Sequence, residues 1–300
     1  MVQVTNRVLA PIKVWAVIGT AFLVFQAWVF GRWLLAGGAR PVPGTEGTSV
    51  LAVVMQAFFA ACFVVVSVVL VRRALAQRLV TLDLAVYVGF LACVWQDALF
   101  NFHGFFVSYN RDVLNVTSWG PFIPGWHGDH PGLQVETVLA PGGLAIPLLI
   151  IWVWVQTWLT DRLTRPHWPA VRLWSVSVLA GVAMNIVLEY VLIATHMYAY
   201  TAPTPYLTLF EGHWYQISLA HNLLIVLFVS TPSVMVHYYA RRTGSTPVIF
   251  QGMPEPSTGL RLLAGVGFIN LGMLALMAGT AVLSYLGGPV PSDLPADLRP

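Results

Sequence analysis

The sequence predicts an all-α, polytopic integral membrane protein with about seven transmembrane helices and aromatic loop caps on the non-cytoplasmic side. Of the 300 residues, 57% are hydrophobic and only 9% are charged, whereas a soluble domain carries about 25% charged residues. Seven apolar runs are each long enough to cross the roughly 30 Å of bilayer hydrocarbon. The links between these runs divide into a basic set and a set that is nearly free of basic residues, as in multi-pass proteins.

The seven apolar runs are the expected membrane spans. The first run is longer than the hydrophobic region of a cleaved secretory signal, so we expect it to be retained as a helix. The last run is rich in glycine, which permits close packing between helices. The expected spans are residues 14–35, 50–71, 80–102, 138–159, 171–195, 216–238 and 260–286.

Basic residues define the expected orientation. Eleven lie on one side of the expected spans and four on the other, so the positive-inside rule predicts a plasma-membrane protein with a cytoplasmic N-terminus and an external C-terminus. The larger set is Arg7, Lys13, Arg72, Arg73, Arg78, Arg162, Arg165, Arg172, Arg241, Arg242 and Arg261; the smaller is Arg32, Arg40, Arg111 and Arg299.

Two connecting segments, residues 103–137 and 197–215, are unlike solvated linkers. Both are dense in aromatic residues, Gly and Pro. A loop of more than about 15 residues is usually either functional or disordered, and the aromatic content argues against disorder. We expect both to fold as caps over a single transmembrane domain, residues 1–288. The Pro-rich segment 289–300 is expected to be a disordered tail.

Two carboxylates fall inside apolar runs, where an ionisable group costs a few kcal/mol on insertion scales. Asp97 lies in the third run and Glu189 in the fifth, and each has an asparagine four residues away, Asn101 and Asn185. Residues four apart share a helix face. Asp97 and Glu189 are therefore candidate catalytic residues, together with Glu136, which we expect at the start of the fourth helix.

Other polar side chains are expected at the same depth as these carboxylates. His103 lies close to Asp97, and His196 lies seven residues beyond Glu189. The sixth run places His221 and Asn222 near the same surface. With Asn101 and Asn185, these residues are candidates for binding a substrate beneath the caps.

Several classes of site are not supported. No basic stripe exists to follow a nucleic-acid backbone. The two cysteines, Cys62 and Cys93, lie inside apolar runs, where thiols behave as small hydrophobic groups, so a disulfide is not expected. No histidine pair has metalloprotease spacing, so we expect no metal and no cofactor. The histidines considered are His127, His130, His196 and His213.

Carboxyl groups in an apolar pocket are suited to acid–base chemistry. Desolvation raises the pKa of a carboxyl group, which then remains protonated near neutral pH and acts as a general acid. A second carboxylate in a more polar setting stays ionised and stabilises developing positive charge, as do aromatic faces. The residues thus permit reactions that pass through oxocarbenium ions or carbocations.

Ordered motifs in the middle of the chain resemble the AveC-type spirocyclase family of actinobacterial membrane proteins. The motifs are WQDALFNF at 95–102, SYN at 108–110 and SWGPFIPGWHGDHPG at 118–132, followed by Glu136. The resemblance covers about residues 80 to 240. It implies roles for Asp97, Asn101, Tyr109, Asn110, Trp119, Glu136 and Glu189. The resemblance continues downstream, where Glu189 is followed by Tyr198 and Tyr200 and then by Gly212, Tyr215 and Gln216. Trp126, in the third motif, Tyr190, next to Glu189, and Tyr215 complete the candidate substrate-binding set.

The resemblance implies a cyclase that forms spiroketals in macrolide polyketides, in some family members with added dehydration, acting on a hydrophobic polyketide within the lipid bilayer. Protein partners are not predicted. Two alternatives stay open: a membrane terpene cyclase, which also uses acidic residues among apolar helices, and a non-enzymatic transporter or lipid-binding protein. A transporter is typically indicated by inverted repeats and broken helices, and the sequence shows neither.

The expected pocket lies near the outer leaflet, whereas a polyketide is made in the cytoplasm. Two explanations stay open: the polyketide reaches the pocket laterally through lipid, or the pocket extends further inward than the expected depth.

Overall fold

A computed structural model describes residues 10–44, 49–165 and 168–299. Within these residues, six helical stretches are long and apolar enough to cross a membrane, or seven if one bent pair is a single span. This architecture is compatible with a multi-pass membrane protein and confirms the mostly helical class. The α-helices are α1 Pro11–Leu35, α2 Val50–Gln77, α3 Leu82–Ala92, α4 Leu149–Leu163, α5 Ala170–Ala194, α6 Leu219–Ile225, α7 Thr231–Thr243 and α8 Thr258–Ser284.

The third span is broken, which the sequence did not predict. Helix α3 ends at Ala92 and continues, after a 45° bend, as the 3₁₀-helix Val94–Asn101. Asn270 on α8 holds this segment, because its Oδ1 accepts hydrogen bonds from Trp95 Nε1 (3.1 Å) and Gln96 Nε2 (3.0 Å). Since a 3₁₀-helix has three residues per turn, residues four apart do not share a face. The expected common face of Asp97 and Asn101 is therefore wrong.

The fourth span begins later than predicted. Glu136 lies in a β-strand, and the helical segment starts with the 3₁₀-helix Gly143–Leu148 before α4. Gly143 has a positive φ of 45°, outside the right-handed helical region, so a regular helix cannot run from Glu136 through this residue into α4. The prediction that Glu136 starts a helix is corrected accordingly.

Glycines on α8 bring neighbouring backbones into direct contact. A Cβ added to Gly267 would overlap Trp15 O of α1, and one added to Gly265 would overlap Ala85 O of α3. Gly272 meets Phe228 O in the same way. The predicted close packing of this glycine-rich helix is confirmed.

The outer faces of the helices are apolar. Val17 on α1, Val64 on α2 and Leu179 on α5 are exposed residues in mid-helix. Apolar side chains in such positions match a hydrocarbon surrounding rather than water.

Short strands build a cap from the segments 103–137 and 197–215, and this name is used for them below. The longest link between the two segments is the antiparallel pair in which Val107–Tyr109 faces Tyr198–Tyr200. The strands are β1 Pro41–Val42, β2 Val107–Tyr109, β3 Asn115–Thr117, β4 Val135–Thr137, β5 Tyr198–Tyr200, β6 Thr208–Leu209 and β7 Ile217–Ser218, paired antiparallel as β1-β3-β4, β2-β5 and β6-β7.

The C-terminal segment packs on the cap as far as Arg299, which differs from the expected disordered tail. Leu294 and Leu298 are buried against Ala199. Asp297 accepts hydrogen bonds from Asn110 Nδ2 (3.1 Å) and lies 3.1 Å from His196 Nδ1. Leu294, Leu298 and Asp297 therefore hold this Pro-rich segment on the surface of the cap.

At the helix ends opposite the cap lie basic residues of the larger set, among them Arg242 at the end of α7 and Arg261 near the start of α8. Arg242 Nε pairs with Asp161 Oδ1 at 2.8 Å, and Arg261 donates to Val80 O at 3.3 Å. Arg7 lies outside the described residues. The placement of this end in the cytoplasm stays a prediction.

Candidate functional site

A cavity of about 310 Å³ lies beneath the cap, among α2, α4, α5, α6 and α8. Its walls are largely apolar, and polar side chains reach it from three directions: the 3₁₀ segment of the third span, α5 with α6, and the cap. The polar residues that line it are Asp97, Tyr109, Asn185, Glu189, Tyr198, Tyr200 and His221. Asp97, Tyr109, Asn185, Glu189 and His221 are among the predicted site residues, so the structure brings these five to one cavity.

Asp97 is buried, with 3% of its surface exposed. Its Oδ1 accepts a hydrogen bond of 2.9 Å from Tyr109 Oη in β2. Its Oδ2 packs against Gly142, where an added Cβ would overlap this oxygen. The carboxylate is thus positioned by a tyrosine on one side and by a glycine backbone on the other.

Glu136 does not line the cavity but contacts Asp97 from the cap strand β4. Ser118 Oγ donates a hydrogen bond to Glu136 Oε1. Burial, and secondarily the charge of Asp97, raises the pKa of the Glu136 carboxyl well above its usual range. Burial therefore favours the protonated form of Glu136.

Glu189 lies on α5 at the other polar side of the cavity. Tyr200 Oη donates to Glu189 Oε1 at 2.9 Å, and Asn185 Nδ2 lies 3.4 Å from the same oxygen. The shared helix face predicted for Asn185 and Glu189 is confirmed. Oε2 of Glu189 is buried and accepts no well-formed hydrogen bond from the described residues.

Tyrosines on the paired strands β2 and β5 link the two carboxylates. Tyr109 lies directly opposite Tyr198 in the register, and Tyr198 and Tyr200 share a strand face because side chains alternate along a strand. Burial raises the pKa of both Tyr198 and Tyr200 well above the usual value. These hydroxyls therefore stay protonated and act as donors.

His221 forms part of the wall near Glu189. Its Nδ1 lies 3.2 Å from Thr280 Oγ1 on α8. Its ring is 5.2 Å from that of Phe100 and 5.9 Å from that of Tyr200, measured between centroids. The contact with Thr280 fixes the ring plane among the aromatic walls.

Three other predicted residues do not line the cavity but form hydrogen bonds with backbone groups near it. Asn101 donates to Val107 O at 2.9 Å and accepts from the N–H groups of residues 106 and 107. Trp119 donates to Trp95 O at 2.7 Å, and Trp126 donates to Ala98 O at 3.1 Å. All three hold the 3₁₀ segment that carries Asp97 against the cap.

The remaining predicted residues lie away from the cavity wall. Asn222 accepts a hydrogen bond of 2.6 Å from Asn185, which places it behind the polar wall. His103 stacks on Tyr285 at 3.9 Å between centroids, and Tyr215 stacks on His213 at 5.1 Å. Asn110 and His196 both contact Asp297 of the C-terminal segment. Since α5 ends at Ala194, His196 no longer lies on the helix face of Glu189. Tyr190 is 62% exposed on the outer face of α5.

Sequence reasoning missed several wall residues. Tyr198 and Tyr200 were not assigned as site residues, although their i, i+2 spacing in a strand would direct both to one face. On α2, Phe58, Phe59 and Cys62 also line the cavity. No polar residue in that run distinguishes these side chains from lipid-facing ones, so the sequence carries no signal for them.

The cavity is suited to acid–base chemistry on a small apolar segment of a ligand. Two carboxyl groups, Asp97 and Glu189, lie on its largely apolar walls. A third, Glu136, lies behind Asp97. Among the described residues, no three His, Cys, Asp or Glu side chains cluster as metal ligands would.

Comparisons with known proteins place the chain in a family. No curated protein and no solved structure significantly matches the chain. A model of the spirocyclase AveC-like family matches residues 72–300. This range extends beyond the region of the sequence resemblance on the C-terminal side and includes strands β2 to β7, the three carboxyl groups and α8. The match covers more than half of the chain, and the chain therefore belongs to the spirocyclase AveC-like family.

Proposed function

We propose that this protein is a membrane-embedded cyclase that closes a spiroketal from a dihydroxy-ketone polyketide. The observation that supports this most is the placement of Asp97 and Glu189 on the walls of one apolar cavity, each with a tyrosine hydroxyl on one carboxylate oxygen. Membership of a spirocyclase family supports a cyclase role.

The reaction begins when one hydroxyl of the substrate adds to its ketone and gives a hemiketal. A proton from the Asp97–Glu136 pair then passes to the hemiketal hydroxyl, which leaves as water. The resulting oxocarbenium ion is attacked by the second hydroxyl, and Glu189 accepts the proton that this hydroxyl loses. One water is released, and the proton donated at the start is balanced by the proton taken up at the end.

Aromatic side chains stabilise the cation along this path. Phe58, Phe59, Phe100 and Trp152 line the cavity, and their electron-rich faces attract positive charge. Spiroketals also close in acid without a protein. The main contribution of the protein is therefore to hold the substrate in one conformation while its second hydroxyl attacks. If a proton is lost instead from the carbon next to the cationic centre, with Glu189 as the acceptor, the product is a cyclic enol ether, the dehydrated form of the hemiketal.

We propose a plasma-membrane location with the cap outside the cell. The basic helix ends opposite the cap support this orientation. The proposed single transmembrane domain extends to about residue 288, with the C-terminal segment bound to the outer cap surface.

The test is to compare wild type with Asp97→Asn and Glu189→Gln in nanodiscs supplied with a dihydroxy-ketone macrolide precursor. We expect each amide variant to lower the rate of water loss or to erode the stereochemistry, because general acid–base groups contribute about 10²- to 10⁴-fold. The control is Asp161→Asn, which removes an exposed carboxylate at the opposite end and should leave the product unchanged.

Unchanged product and rate in both amide variants would refute the proposed carboxylate chemistry. If the protein converted a prenyl precursor and not the dihydroxy-ketone, the assignment would change from a spiroketal cyclase to a terpene cyclase.

A further inference from the structure

We propose that the substrate enters the cavity sideways from the bilayer interior, through an opening between α2 and α5 that is edged by Phe58, Ile151 and Leu188. The ligand class is therefore a lipophilic molecule that is already dissolved in the membrane. The identity of this ligand as the substrate rests on the proposed function, whereas the opening itself does not.

Exposure of the wall residues locates the opening. Phe58 is 58% exposed, Ile151 37% and Leu188 36%, although all three line the cavity. The other described wall residues are buried or half-buried. A side chain that borders both the cavity and the outer surface marks the place where the two meet, and here all such side chains are apolar.

The cap closes the opposite route, from water. The cap residues that line the cavity are Val107, Tyr109, Tyr198 and Tyr200, and none is more than 8% exposed. The antiparallel pairing of β2 with β5 joins these residues across the top of the cavity. A ligand approaching from the aqueous side would have to separate this pair.

Helix lengths place the opening within the hydrocarbon region. Phe58 lies eight residues into α2, which begins at Val50 beside the cap, and Leu188 lies six residues before α5 ends at Ala194. At 1.5 Å per residue these positions are about 12 and 9 Å from the cap ends of the helices. Half of the hydrocarbon thickness is about 15 Å, so the opening faces lipid tails.

Helix packing explains why a gap exists at this position. Helix α2 packs mainly against Gly143–Leu148 and α3, whereas α5 packs mainly against α4 and α7. The third residue of α4, Ile151, lies between the two groups and forms the floor of the gap.

The size of the cavity restricts what passes the opening. At about 310 Å³ it lies at the lower end of the range for small-molecule pockets, roughly 300 to 1,000 Å³. A large macrocycle would therefore insert the segment that carries its ketone and hydroxyls and leave the remainder among the lipid tails.

Labelling of Cys62 tests the opening without measuring turnover, because this residue lines the cavity whereas Cys93 is fully buried. In nanodiscs, whose two faces are both open to water, we would compare an N-alkyl maleimide with a sulfonated one and map the product by peptide mass. The alkyl reagent is expected to label Cys62 severalfold faster than the charged reagent. Equal labelling by both reagents would overturn the lateral route.

Two tryptophan variants then localise the opening. Leu188→Trp places an indole ring at the edge of the opening. Val187→Trp adds the same ring one residue away, at a position that is 64% exposed and does not line the cavity. We expect Leu188→Trp to slow labelling of Cys62 severalfold and Val187→Trp to leave it unchanged. Equal rates in folded samples of both variants would overturn the assignment of the opening.

The labelling result and the cyclase assay fail independently. If Leu188→Trp slowed the labelling of Cys62 but the wild type did not cyclise the precursor, the opening would be upheld and the proposed reaction refuted. Cyclisation at wild-type kcat/KM by Leu188→Trp would uphold the reaction and refute the opening. Should Leu188→Trp not fold, the comparison of the two reagents on wild type decides the proposal.

Discussion

Asp97 and Glu136 are neighbouring buried carboxyl groups, and in the proposed reaction they supply the proton. Ser118 donates to Glu136, and Tyr109 donates to Asp97. Each donor stabilises the carboxylate that it contacts, whereas burial favours the protonated form of Glu136. In the proposed reaction the proton reaches the substrate hydroxyl through Asp97, which lines the cavity.

This pairing predicts a pH dependence of stability. The pKa of Glu136 is raised above its value in the unfolded chain, so its stabilising contribution is complete below the unfolded pKa and is lost as pH rises through the elevated pKa. The melting temperature of the wild type should fall over that window. Glu136→Gln keeps a neutral side chain and should show a shallower fall.

The control for this measurement is Glu211→Gln, on the exposed surface of the cap. It should follow the wild-type pH profile. The raised pKa of Tyr198 and of Tyr200 keeps these hydroxyls protonated over the same window. An identical pH slope in wild type and Glu136→Gln would contradict the raised pKa of Glu136.

Gly142 provides a second test at the level of single residues. In Gly142→Ala the new Cβ would overlap Asp97 Oδ2, so the carboxylate must move, at a cost of about 1–3 kcal/mol for overpacking. We expect the cyclase rate of the folded variant to fall by more than any loss of folded protein explains. Gly132→Ala is the matched control, since an added Cβ there meets no atom within 4 Å; equal rates in both variants would show that Asp97 is not positioned by Gly142.

Among the helices, the broken third span and the glycine face of α8 decide where the site residues lie. The 3₁₀ segment Val94–Asn101 directs Asp97 to the cavity and Asn101 to the cap backbone. A regular α-helix would place both on one face. The segment is held by Asn270 on α8, which reaches it because α8 packs closely against α1 and α3.

Close packing of α8 predicts the effect of one methyl group. Gly267→Ala would place a Cβ against Trp15 O of α1 and should destabilise the protein by about 1–3 kcal/mol. Gly31→Ala, also within a helix but with no atom within 4 Å of the added Cβ, should be neutral or stabilise by up to about 1 kcal/mol. Thermal unfolding in detergent compares the two, and equal melting temperatures would contradict tight α1–α8 contact.

For the whole molecule, hydropathy was sufficient to predict the spans but not their interruptions. Apolar runs indicate where a chain can cross lipid, and all seven have helical counterparts in the structure. The break after Ala92 depends on contacts with Asn270, which is about 175 residues away in the sequence. No local pattern reports a contact of that kind.

The candidate site was partly predictable for the same reason. Asp97, Glu189 and His221 were identified because polar groups in apolar runs are costly. Tyr190 and Tyr215 were misplaced, since an aromatic residue near a membrane interface gives no indication of its direction. Phe58 on α2 was missed because apolar wall residues and lipid-facing residues have the same composition.

The most direct test of the central claim is the product formed from a dihydroxy-ketone macrolide precursor with and without the purified protein in nanodiscs, followed by chiral chromatography and mass. The account predicts loss of one water and a single spiroketal epimer in the presence of the protein, against a slower mixture of epimers in its absence. The same epimer mixture at the same rate in both samples would contradict a cyclase and turn attention to binding or transport of a lipophilic molecule.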